Sequence, residues 1–238
     1  MDERSKAAPP LAGDFSTESL CARMLERNRA TIRVQKTHVA VRKLSLIVDA
    51  MLDLSSRQGF HATSLRDLSG ASGVSMGGLY SYFDSKTTLL TMILNEVWST
   101  VTEVLDQVPA GIARDPEAHL DWLIETHVRL TETMQPWFVF AYLEAKAFPE
   151  PARRMAVDSE AATEKIFADV LHRGVEQGCF QIDDPDLTAA LIKPLLQDWY
   201  VKRGKYRKRG TSIDQYVSSV KGLLANAFRP GPGKRPTR

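Results

Sequence analysis

Cysteine is scarce in this chain. Cys21 and Cys179 are the only two in 238 residues, far apart and in no C-x-x-C pair. That excludes a disulfide framework and a cysteine zinc site, and it fits a reducing cytoplasm. Long apolar runs are missing as well. None approaches the length of a membrane span, and the polar, proline-containing N-terminus has no apolar signal-peptide core. Charge of one sign is not in excess. The net charge is only +2, so affinity for a polyanion has to come from local clustering. No glycine loop of the P-loop or dinucleotide type occurs. The five histidines, His38, His61, His119, His127 and His172, have neither HExxH nor zinc-finger spacing. His119 with Glu117 or Asp121 is an i, i+2 pair, whose members face different sides of a helix. No nucleophile–base pattern is visible. Nothing pulls toward catalysis, and neither metal nor cofactor is expected.

What the chain does have is helical periodicity. Leu44, Ile47, Val48, Met51 and Leu54 form one stripe, closed by Gly59. Leu90, Ile93, Leu94, Val97, Val101 and Val104 mark a long helix after Asp84-Ser85. Further helical patterns cover 116–133, 136–148, 151–177, 184–200 and 212–228. Pro194 interrupts one of them, where it removes a backbone hydrogen bond and opens space or is simply accommodated. No strand or repeat is evident, and the expected fold is all-α.

Residues 61–86 carry the strongest local signal. Ser64 with Asp67 has capping-box spacing, and Leu65 and Leu68 share one face of a short helix. Gly73 stands where the chain leaves that helix in a left-handed conformation. Val74 plugs the corner, Ser75 caps a second helix, and Leu79 and Phe83 give that helix an inward face. Met76, Gly77, Gly78, Tyr80 and Tyr82 make a poor core and suit close approach to another surface. This is the layout of a helix-turn-helix, whose second helix enters the DNA major groove. An ordinary pair of core helices is the rival reading. Lys86 at the start of the next helix opposes the helix dipole unless an anion sits nearby. On this reading Thr63, Ser64, Tyr80, Tyr82 and Lys86 hold phosphates, while Ser75, Met76, Gly77 and Gly78 approach base edges. His61 contacts phosphate or only caps.

The matching residues extend further, through Ile47 to Ala50, Gly59-Phe60, Thr63 to Leu68, Ala71 to Ser75, Leu79 to Phe83 and Ser85-Lys86. This segment resembles the DNA-binding domain of the TetR family of bacterial transcriptional regulators. Ser55, Ser69 and Gly78 depart from the family pattern of a large apolar residue, alanine and threonine. The resemblance implies a division into a flexible basic extension (1–35), a helix-turn-helix domain (36–88), a helical ligand-binding and dimerisation domain (89–228) and a disordered tail (229–238). Arg23, Arg27, Arg29, Arg33, Lys36, Arg42 and Lys43 precede the motif. They form either a solvated arm or one that follows phosphates or enters the minor groove.

The C-terminal half offers two clusters. Trp137, Phe138, Phe140 and Tyr142 belong to a helix apolar all round, which either packs or lines a cavity. His127, on an apolar stripe, reads as a core histidine before a ligand. The run from Lys202 to Arg209 is a solvated loop, a DNA contact or a phosphate holder. Segments 142–149 and 198–209 resemble the TetR subgroup that senses long-chain acyl-CoA. That likeness implies Trp137, Phe138, Tyr142 and Trp199 along an acyl chain, and Arg203, Lys205 and Arg207 on its phosphates. The family also implies a homodimer, paired through the last two helices, on a palindromic double-stranded operator. The expected function is a cytoplasmic repressor released by a hydrophobic small molecule, in lipid metabolism. The alternatives are a DNA-binding dimer without small-molecule control and an efflux regulator sensing a different apolar ligand.

Overall fold

The computed structural model describes residues 11, 13–29, 32 and 36–229. The expected flexible start of the chain and disordered tail lie largely outside these residues, as does Arg33. The described residues form eleven α-helices and one 3-10 turn, with no strand among them. The helices are α1 (Thr17–Arg27), α2 (Thr37–Gln58), α3 (Leu65–Ser72), α4 (Met76–Leu79), α5 (Lys86–Leu105) and α6 (Pro116–Thr133). They continue with α7 (Gln135–Leu143), α8 (Glu150–Glu176), α9 (Pro185–Val201), α10 (Arg203–Lys208) and α11 (Ile213–Phe228). α9 runs through Pro194 without a break.

The chain divides into two compact units. One holds Gly13–Thr100 and Thr133–Ser159; the other holds Val101–Glu132 and 160–229. The division differs from the sequence boundary at 88/89, because 133–159 joins the helix-turn-helix. Phe60 explains this. Its ring meets Phe140 at 6.0 Å and Phe148 at 5.4 Å between centroids. Edge-to-face rings at such distances are favourable. Phe60 N–H also donates to Glu144 Oε2 at 2.7 Å.

In the first unit the α2 stripe forms the core as its period requires. Leu44, Ile47, Val48 and Met51 are fully buried, together with Leu68, Leu79, Leu89 and Leu90. Leu54 and Leu65, expected inside, are half-buried. α1 corrects the idea of a flexible arm over 17–27. Ser16 caps it, and Leu20, Cys21, Met24 and Leu25 bury its inner face. Two of its arginines are also occupied: Arg23 bonds the buried Glu96 carboxylate at 2.9 Å, and Arg27 bonds its other oxygen. Charges paired in this way are not available to follow phosphates.

The second unit packs α6, α9 and α11 around Leu123, Ile124, Val128, Ile192, Leu196, Trp199 and Val220. Its interior also carries charge. Lys193 is 5% exposed, with its Nζ 3.4 Å from His127 Nε2. Burial lowers Lys193 to about 8, against the pull of Glu160 and Glu164. Burial and the neighbouring ammonium hold His127 well below its usual range, so it is a neutral core histidine.

Two outcomes follow for stability. Glu96→Ala removes the buried carboxylate that Arg23 and Arg27 share and lowers stability by about 3 kcal/mol in urea unfolding. Lys193 binds its proton less tightly folded than unfolded. Between about pH 8 and the ordinary lysine range the unfolded chain therefore holds more protons, and stability rises with pH. Lys193→Met removes that rise, as unfolding at stepped pH measures.

Candidate nucleic-acid interface

The helix-turn-helix is built by short-range hydrogen bonds. Ser64 Oγ accepts from Asp67 N–H at 3.1 Å, while Asp67 Oδ2 accepts from Ser64 N–H at 2.9 Å. This reciprocal capping box starts α3. Gly73 ends it at φ 68°, in the left-handed region that glycine enters without a Cβ penalty. Ser69 Oγ donates to Val74 O across the corner at 2.7 Å, a use for the serine that departs from the family alanine. Ser55, the other polar departure, is buried with its hydroxyl on Met51 Sδ. Ser75 Oγ then accepts from Gly78 N–H at 3.2 Å.

The second helix is shorter than its apolar spacing suggests. α4 spans one turn, after which Ser81 N–H donates to Gly78 O and Tyr82 N–H to Leu79 O, both i→i+3 bonds. Two consecutive glycines carry a high entropic cost in a helix, so continuation depends on Leu79 and Phe83 being buried.

The structure sorts the expected DNA contacts into three groups. Ser64, Ser75, Met76, Gly77 and Tyr80 are exposed, Tyr80 by 50%. A Cβ added at Gly77 would meet nothing within 4 Å. Arg42, Lys43 and His61 are exposed too, as is Arg66 on α3, which the sequence reading passed over. The second group is internal, which corrects its assignment. Thr63 is fully buried, and its hydroxyl donates to Gly59 O at 2.9 Å. Tyr82 is 1% exposed, and its hydroxyl has no hydrogen-bond partner among the described residues. Burial raises its pKa. Gly78, by contrast, is half-buried and keeps its expected place beside the exposed turn, though a Cβ there would lie 2.9 Å from Val74 Cγ1. A side chain at this position requires Val74 to move.

Lys86 stands alone as the third case. Its ammonium donates to Phe60 O at 2.8 Å, His61 O at 3.1 Å and Thr63 O at 2.8 Å. It also lies 4.5 Å from the Phe60 ring centroid. A lysine has three protons to give, and all three are given to backbone. Partial burial lowers its pKa. The anion expected near this charge is thus a set of carbonyl dipoles, and Lys86 positions the loop before α3.

The expected ligand residues divide between the units. Trp137 and Phe138 are buried in the first, with Tyr142 42% exposed. Trp199 is fully buried in the second, where Nε1–H donates to Glu132 at 2.9 Å. Arg203 grips the same carboxylate with two nitrogens and stacks 4.3 Å over the Trp199 ring. Lys205 pairs with Asp198 at 2.8 Å. Burial pushes the Asp198 carboxyl up, but hydrogen bonds from Lys202, Lys205 and Tyr206 outweigh it and hold the group below the usual range. Arg203 and Lys205 are therefore already neutralised, and Arg207 is the exposed member of the trio.

Known families bear on this geometry. Residues 47–93 match the family model for bacterial regulatory proteins of the tetR family, and 113–221 match the tetracyclin repressor-like C-terminal domain. The chain belongs to the TetR family. It is a transcriptional regulator and not an enzyme. Among its relatives is the HTH-type transcriptional repressor KstR2 of Rhodococcus jostii, 28% identical over 76% of this chain and 90% of that protein. Among solved structures, the regulator PfmR of Thermus thermophilus superposes with a TM-score of 0.62 at 25% identity, over 79% of this chain and 99% of PfmR. FadR of Bacillus subtilis, solved with stearoyl-CoA, shares the fold with a TM-score of 0.59 at 17% identity, over 77% of this chain and 98% of FadR. Among the described residues of this regulator, no helix is long and apolar enough to cross a membrane.

Two substitutions separate packing from phosphate contact. Lys86→Met removes a donor shared by three carbonyls, of which Phe60 O keeps the Thr63 N–H, and lowers stability by about 2 kcal/mol in urea unfolding. Tyr82→Phe removes an unpaired buried hydroxyl, so the thermal midpoint holds or rises and DNA affinity is unchanged.

Proposed function

We propose that this regulator is a cytoplasmic repressor that binds a palindromic operator as a homodimer and leaves it when a hydrophobic small molecule binds. The observation that carries the DNA reading is the exposed turn at Ser75, Met76 and Gly77, with open space beside Gly77. Ser64 and Tyr80 flank it for phosphate contact, with Arg42 and Lys43 adding exposed charge. Pairing is supported by Leu187, Leu191 and Leu223, which α9 and α11 leave 56%, 63% and 57% exposed. Apolar side chains left in water on two helices suit a partner's matching face. A twofold pair sets its recognition turns about 34–36 Å apart, one turn of DNA, or a multiple of it. Repression follows the name of the KstR2 relative.

For the effector, long-chain acyl-CoA is the leading candidate. It is supported by the stearoyl-CoA held in FadR and, within the second unit, by the exposed cation Arg207. A ligand releases DNA only by binding one spacing of the pair better than the other.

The test uses a DNA fragment that the protein itself selects from a random library. Gly77→Glu places a carboxylate against phosphate and weakens anisotropy-measured binding at least 100-fold, with an unchanged circular dichroism spectrum and dimer mass. Arg42→Ala lowers the slope of log affinity against log salt. Palmitoyl-CoA releases the DNA and free coenzyme A does not. Unchanged affinity for Gly77→Glu overturns the groove assignment, and no release by any acyl-CoA overturns the effector.

A further inference from the structure

A groove of about 440 Å³ runs between α2 and α7 in the helix-turn-helix unit. Small-molecule sites commonly fall at about 300–1,000 Å³. Leu52, Val139, Phe140 and Leu143 wall it. Three carboxylates line it as well, Asp49, Asp53 and Glu144, with no lysine, arginine or histidine among the lining residues. Their existing partners leave negative charge over. Asp49 accepts from the Thr17 hydroxyl at 3.0 Å, which cancels none of it. Asp53 shares an exposed pair with Arg57 at 2.7 Å, a pair weakened by water. Glu144 accepts the Phe60 N–H through one oxygen.

An apolar trough rimmed by one sign of charge selects the other sign. A ring in its wall, here Phe140, adds attraction for a poorly hydrated cation. We propose that this groove binds a lipophilic organic cation of the quaternary-ammonium type. The same rim repels the phosphates of an acyl-CoA, so this site is separate from the effector site proposed above and does not rest on it.

Its position gives it a route to DNA. The α7 wall carries Phe140, whose ring meets Phe60, and ends at Glu144, which holds Phe60 N–H. Phe60 O is in turn one of the three carbonyls on Lys86. An occupant that shifts α7 against α2 therefore bears on the corner that seats α3.

Calorimetry on the full-length protein, without DNA, tests the site. The probe is trimethyl(4-phenylbutyl)ammonium, and 4-phenylbutyrate supplies a similar apolar body with the opposite charge. The cation binds, and the anion binds at least tenfold more weakly. Asp49→Asn with Asp53→Asn, both at exposed positions, weakens the cation at least fivefold. Val139→Trp fills the groove and abolishes binding. No heat with the cation, equal binding of the anion, or cation binding unaffected by both variants overturns the proposal. Because no DNA or acyl-CoA is present, none of these results touches the operator or effector readings.

Discussion

One ammonium holds the reading head of this protein together. Lys86 starts α5 and reaches back to three carbonyls between Phe60 and Thr63. Those carbonyls lie between α2 and α3, and Phe60 O among them also accepts a turn bond from Thr63 N–H at 3.3 Å. Without the ammonium the carbonyl of buried Thr63 would lose this donor, at a cost of about 1–3 kcal/mol. The Phe60 ring covers the same ammonium, and Glu144 takes the Phe60 N–H. A single corner thus ties α2, α3, α5 and α7, and the exposed turn at Ser75–Gly77 inherits its position from that corner.

The economy of charge elsewhere follows the same rule. Glu96 draws Arg23 and Arg27 into the protein, Glu132 draws Arg203, and Asp198 draws Lys202 and Lys205. Stretches that look like basic arms in one dimension are thus partly neutralised in three. What stays exposed near the motif includes Lys36, Arg42, Lys43 and Arg66. A modest set of cations suits a binder whose net charge is close to zero, because specificity then rests on the few groups that reach the base edges.

The corner of the helix-turn-helix was legible in the sequence because its chemistry is local. Ser64 with Asp67, left-handed Gly73 and capping Ser75 each act within about four residues, so spacing alone exposes them. The all-α architecture and the α2 stripe were legible for the same reason. Lys86, Tyr82 and Thr63 were misassigned because their partners lie farther off. Lys86 serves carbonyls 23 to 26 residues away, and Arg203 meets a carboxylate 71 residues away. No periodicity reports such pairings. Gly78 is a subtler case: it reads as a missing side chain, and only the structure shows that a Cβ there would press on Val74. The aromatic helix was expected to be buried on every side, yet Tyr142 and Leu143 are 42% and 50% exposed, and its union with Phe60 depends on a ring cluster that no single segment contains.

The central claim is that the turn around Gly77 lies against a DNA duplex, and proximity tests it most directly. A photoactivated crosslinker is attached at Gly77→Cys, in a chain carrying Cys179→Ser so that the buried Cys21 is the one remaining native thiol. The same label at Arg207→Cys serves as the comparison. The account predicts crosslinks from position 77 to bases of the selected DNA, at two sites related by its twofold axis, with far fewer from position 207. Crosslinks from position 207 with none from position 77 would contradict it.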